Sequence, residues 1–206
     1  MEGYESRIVK TKFEVKEEDE GRKLIGYAAL FDDPAPEVWG FIEKIAPGAF
    51  TEAIKNSDVR ALKNHNADWV LGRKKAGTLT LEEDERGLRY EVDPPDTTYA
   101  NDLIVSMDRG DIDQSSFQFK VEKEEWDESG DVPIRTIIKV EELRDVSVVT
   151  FPWYPTTEAD VRSKKEILLL HEKENMRDKN RKELISGRQK ALREVKHHNI
   201  LLGVDK

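Results

Sequence analysis

Near residue 162 this chain changes its period. Before that point, apolar and polar residues alternate in short runs broken by Gly and Pro, as in 77–82 (GTLTLE) and 87–92 (GLRYEV). Alternation of this kind puts one face of a strand on a core and the other in water. After Tyr154-Pro155 the pattern gives way to residues dominated by Lys, Glu, Arg and Leu, with no steady heptad. The chain therefore reads as an α+β protein: a strand-rich body over 1–162, and a charged helical tail over 163–206.

Charge follows the same boundary. From residue 163 onward there are 12 basic and 7 acidic side chains, against 22 and 36 in the first 162 residues. An acidic body is a poor nucleic-acid binder, because phosphate contacts need clustered Lys and Arg. The basic tail reads as a solvated helix, with docking on an acidic protein surface as the sharper alternative. The 206 residues contain no cysteine, which excludes disulfides and thiolate metal sites and fits a reducing compartment. No apolar run approaches the ~18 residues of a membrane span, and the start lacks a secretory apolar segment. The expectation is a soluble protein that stays in the cell where it is made.

Strands are expected over 8–15, 23–31, 41–45 and 59–63, with a turn at Asp32-Asp33-Pro34 and a short helix over 47–54. The hairpin of 77–82 and 87–92 is the clearest element. Asp96 or Thr97 can cap a helix running to about Arg109, with Tyr99, Leu103 and Met107 on one face and Gly110 at its end. Further strands are expected at 115–121, 134–140 and 146–150. Ser163 and Glu166 have capping-box spacing, which starts one or two tail helices there.

Three segments offer the parts of a hydrolytic site: Leu62-Lys63-Asn64-His65-Asn66, Gln114-Ser115-Ser116-Phe117-Gln118-Phe119, and 143–152 (LRDVSVVTFP). A serine hydroxyl is a weak nucleophile until an imidazole takes its proton, and a carboxylate orients that imidazole best. His65 is the only histidine in the first 170 residues. Ser115-Ser116 is uninformative by itself. Asp145, in a β-rich stretch, needs a partner if buried; Arg144 and His65 both qualify, and Glu141 and Glu142 compete as acids. The other histidines lie in the tail, so metal-ligand spacing is absent from the body. Arg73 is a minor candidate to hold an oxyanion. Trp69, Trp126, Trp153 and Tyr154 read as packing before ligand binding.

Six of these segments occur in the order found in the prohead proteases of tailed phages: Gly26-Tyr27-Ala28, Ala46-Pro47-Gly48-Ala49-Phe50, Asn64-His65-Asn66, Leu71-Gly72-Arg73, Ser116-Phe117-Gln118-Phe119, and 145–152 (DVSVVTFP). Over about 8–162 the chain resembles that family. The resemblance implies a fold like the herpesvirus assemblin protease, a mostly antiparallel β-barrel with flanking helices. It implies a serine endopeptidase without cofactor or metal, with Ser116 as nucleophile and His65 as general base. Asp145 falls where the family usually has glutamate, one methylene longer. The implied substrate is the scaffold part of the major capsid protein, with self-cleavage, inside the assembling prohead in the host cytoplasm. A homodimer is left open. The alternative is a non-enzymatic capsid-assembly scaffold or binding protein on the same fold.

Overall fold

The computed structural model describes residues 3–18, 21–31, 40–151 and 158–202. The expected turn at Asp32-Asp33-Pro34, and Trp153 and Tyr154, lie outside them. Residues 1–157 and 158–206 separate into two compact units.

The first unit is strand-rich. One sheet has the order β1-β9-β10-β5-β6, built from β1 (Glu5–Lys10), β5 (Arg60–Lys63), β6 (Asn66–Arg73), β9 (Gln114–Asp127) and β10 (Ile134–Val149). A short strand β4 (Ile42–Ile45) runs parallel to the first residues of β10, and β5 runs parallel to its last. The second sheet has the order β2-β3-β8-β7, from β2 (Glu14–Glu18), β3 (Gly21–Leu30), β7 (Leu79–Glu83) and β8 (Gly87–Val92). Both sheets are open. Barrel closure is not formed among the described residues.

One apolar core joins the sheets. Phe117, Phe119, Leu143, Val146 and Val148 come from the first; Leu24, Ala28, Leu81, Leu88, Tyr90 and Val92 come from the second. Phe50 beside α1 (Thr51–Asn56) meets Phe117 edge-on at 5.4 Å, and Phe117 stacks on Phe119 at 4.7 Å. Helix α2 (Thr98–Asp108) buries Ala100, Leu103, Ile104 and Met107, matching the expected face. It ends at Gly110, whose φ of +80° is the left-handed conformation that stops helices and that glycine adopts without penalty. Gly87 is required for a different reason: a Cβ there would lie 2.0 Å from the Ala29 carbonyl oxygen.

Several expectations need correction. The strand expected over 8–15 is two strands, β1 and β2, which lie in different sheets. The strands expected at 134–140 and 146–150 are one strand, β10, with register shifts at Ile137–Val140, Val140/Glu142 and Leu143/Asp145. Those irregularities break the alternation that would have shown continuity. Strand β6 was not expected, because Asn66 to Val70 are exposed and leave no period of two. In the second unit a single helix, α3 (Glu158–Leu202), begins before Ser163, so the expected capping box lies inside it.

A buried ionic cluster ties β1, β4, β9 and β10. Arg135 is 1% exposed. Its guanidinium donates to both Glu5 carboxylate oxygens at 2.8 Å, to Glu43 at 2.7 Å and to Glu124 at 2.8 Å. Arg7 donates to Glu43 and Glu5 as well. Burial alone would push the Glu5 carboxyl up; Arg7 and Arg135 overcome it and hold it at about 2, below its ordinary 4.5. Burial likewise opposes ionisation of Glu43, and Arg7 and Arg135 bring its carboxyl below the ordinary range.

Removing Arg135 takes the arginine partner from Glu124 and leaves Glu5 and Glu43 to Arg7 alone, and breaking a buried pair typically costs about 3–5 kcal/mol. Arg135→Met is expected to lose stability on that scale in urea unfolding. The folded-state shift of Glu5 is downward, so its contribution is present above 4.5 and is lost as pH falls toward about 2. Part of the wild-type acid unfolding should therefore disappear in the variant.

Candidate active site

A tight turn delivers the imidazole. Lys63 pairs with Asn66 across the β5–β6 hairpin, leaving a two-residue loop, Asn64-His65. Both loop residues have positive φ, +54° and +55°. That pairing of angles belongs to type I′ turns, whose twist matches the flanking strands, and Asn and His tolerate it better than most side chains. The turn is fastened to β10. The Asn64 N–H donates to the Val148 carbonyl at 2.9 Å, and the Thr150 N–H donates to the Asn64 side-chain oxygen at 2.9 Å. The Asn64 amide donates in return to the Thr150 hydroxyl at 3.3 Å.

The nucleophile candidate is set by strand alternation. In the antiparallel pairing of β9 with β10, Ser116 stands opposite Ser147 and Gln118 opposite Asp145. Successive side chains of a strand point to opposite faces, so Ser115 and Ser116 cannot share a role. Ser115 faces inward: its hydroxyl is 3.0 Å from the Tyr90 hydroxyl and donates to the Ser147 carbonyl at 3.2 Å. Ser116 faces His65.

The His65 Nε2 lies 2.7 Å from the Ser116 Oγ, and its Nδ1 lies 2.6 Å from the Asp145 Oδ1. One neutral tautomer satisfies both contacts: Nδ1–H donates to the carboxylate, and Nε2 accepts from the serine hydroxyl. Asp145 is 2% exposed, and burial of that carboxylate is offset by the Nδ1–H and by the Ser147 hydroxyl. Ser116 is 1% exposed. It lines a cavity of about 390 Å³ together with Ile8, His65, Gln118, Val149 and Phe151.

The competing assignments separate cleanly. Glu141 is exposed, and Glu142 faces Lys120 at 3.8 Å. Arg144 lies over the Tyr4 ring at 5.3 Å. Arg73, the candidate oxyanion holder, sits at the far end of the hairpin and donates to Asp58. Trp69 packs on Tyr99, and Trp126 on Phe41. Sequence reading missed Ser147. It is 1% exposed, donates to Asp145 Oδ1 at 2.7 Å, and accepts the His65 N–H at 3.2 Å. The signal available was the Asp-Val-Ser spacing, which puts residues 145 and 147 on one face of a strand.

A profile of the caudovirus prohead serine proteases matches residues 11–170, and the chain belongs to that family. It is thus a peptidase of phage capsid maturation. No curated protein and no solved structure matches the chain.

The turn generates a prediction about stability. A Cβ-bearing residue without the Asn side chain meets the left-handed conformation at a cost of about 1–2 kcal/mol. Asn64→Ala should lose both that and the Thr150 clip, whereas Asn64→Gly should lose the clip alone. Urea unfolding is expected to rank Asn64→Gly above Asn64→Ala by about 1 kcal/mol.

Proposed function

We propose that the chain is a serine endopeptidase in which Ser116 is the nucleophile, His65 the general base and then acid, and Asp145 the orienting carboxylate. The observation that carries this reading is the unbroken hydrogen-bonded line from Asp145 through His65 to Ser116. In the forward step the Ser116 Oγ attacks the scissile carbonyl carbon while Nε2 takes the hydroxyl proton. The imidazolium so formed is stabilised by the Asp145 carboxylate. Collapse of the tetrahedral adduct breaks the C–N bond, and Nε2 returns the proton to the departing amine. Water then repeats the sequence on the acyl-enzyme, with His65 again as base, and frees the serine.

The substrate in this reading is the scaffold part of the phage capsid protein, together with the protease itself, cut inside the assembling prohead in the host cytoplasm. Family membership supports it. The domain boundary proposed is between a protease domain over 1–162 and a tail over 163–206 that serves delivery into the shell. The assemblin-like barrel stays part of this proposal as a kinship of fold.

Co-expression with the neighbouring capsid protein, followed by intact-mass measurement, tests the reading. Wild type should yield truncated capsid protein, and Ser116→Ala and His65→Ala should each yield none, because the members act as a unit. Capsid protein trimmed equally in the presence of either variant would come from another protease and would instead favour a non-enzymatic assembly role. Asp145→Asn should fold and lose turnover by up to roughly 10⁴, the effect of the equivalent change in a well-studied triad. Glu141→Gln and Glu142→Gln should process at nearly the wild-type rate. A chain ending near Arg162 should still cut a scaffold peptide and fail to enter precursor shells.

A further inference from the structure

We infer that Ser147 is the positioning residue of this site, joining the imidazole's backbone to the carboxylate that orients its ring. The inference rests on the proposed roles of Ser116, His65 and Asp145. One hydroxyl makes two contacts of opposite sense. Its oxygen accepts the His65 N–H at 3.2 Å, and its hydrogen goes to Asp145 Oδ1 at 2.7 Å. A hydroxyl has one donor and two acceptor positions, so both contacts coexist.

Oδ1 is also the oxygen that meets His65 Nδ1. Ser147 therefore fixes which carboxylate oxygen receives the ring, and at what angle. This has weight because the carboxylate is short and His65 sits on a two-residue turn rather than inside a strand. Without the hydroxyl, Asp145 Oδ1 loses the donor that fixes it from its own strand and is oriented by His65 Nδ1, and the His65 N–H loses its Ser147 acceptor. The register makes the placement specific: Ser147 lies directly opposite Ser116 on the neighbouring strand, so β10 carries the support and β9 the nucleophile. Ser147 touches no reacting atom; it acts through Asp145 and His65.

A fluorophosphonate probe reads this without knowledge of the peptide substrate. In that reaction the Ser116 Oγ–P bond forms, fluoride leaves from phosphorus, and His65 takes the serine proton. Loss of a hydrogen bond to a charged group corresponds to roughly a ten- to hundredfold change. Ser147→Ala is therefore expected to cut the maximal labelling rate by that factor at unchanged probe affinity. The downfield proton resonance of the His65–Asp145 hydrogen bond should weaken with it. A double-mutant cycle excludes a merely structural role: added to Asp145→Asn, Ser147→Ala should slow labelling by clearly less than it does in wild type, because one of the two groups it acts through is already disabled. Wild-type labelling and resonance in folded Ser147→Ala, or full additivity in the cycle, overturns the inference while leaving the triad standing. Labelling that survives Ser116→Ala removes the triad reading and this inference together.

Discussion

The register between β9 and β10 is the constraint on which the site depends. It sets Ser116 against Ser147 and Gln118 against Asp145, and it turns Ser115 to the core. A slip of one residue would exchange the two serines and point the wrong hydroxyl at His65. The shift between Leu143 and Asp145 takes up the mismatch just before the site, so the last residues of β10 pair regularly with β9. The same strand pairs with β4 at its start and β5 at its end, and Arg135 holds its first turn of sequence in the ionic cluster. The proposed catalytic geometry and the most demanding electrostatics among the described residues thus share one strand. They sit at its two ends.

Strain is concentrated where the chemistry needs reach. Two consecutive non-glycine residues with positive φ cost of order 1–3 kcal/mol each, and such conformations persist only where surroundings over-determine them. Here four hydrogen bonds from β10 and Thr150 do so. The turn lifts the imidazole off the sheet and lays it across the hydroxyl and the carboxylate, which two adjacent flat strands would not bring to opposite ring nitrogens.

Legibility followed burial. The β7–β8 hairpin and α2 were readable because each buries one face against the core, and a single-sided element prints its period on the sequence. Strand β6 was not, since its first five residues are exposed and Trp69 and Val70 break the alternation. The strand expected over 115–121 continues in β9 to Asp127, where the sequence shows no apolar period; Glu124 there serves Arg135, an ionic partnership between residues 11 positions apart. In the site, family-like wording pointed to His65, Ser116 and Asp145, while spacing alone left Ser115, Glu141 and Glu142 in play. What separated them was pairing register, which depends on contacts between strands distant in sequence.

Helix α3 has a thermodynamic consequence of its own. At 45 residues it is about 68 Å long, and its described side chains are mostly exposed. At such length the cost of nucleation is spread over many turns, and oppositely charged residues four apart, such as Asp178 and Lys182 or Lys179 and Glu183, favour helix locally. A segment stabilised in that way frays and melts over a broad temperature range, whereas a core-forming body unfolds in one step. Circular dichroism at 222 nm would then register two superimposed processes, and one fitted midpoint would describe neither.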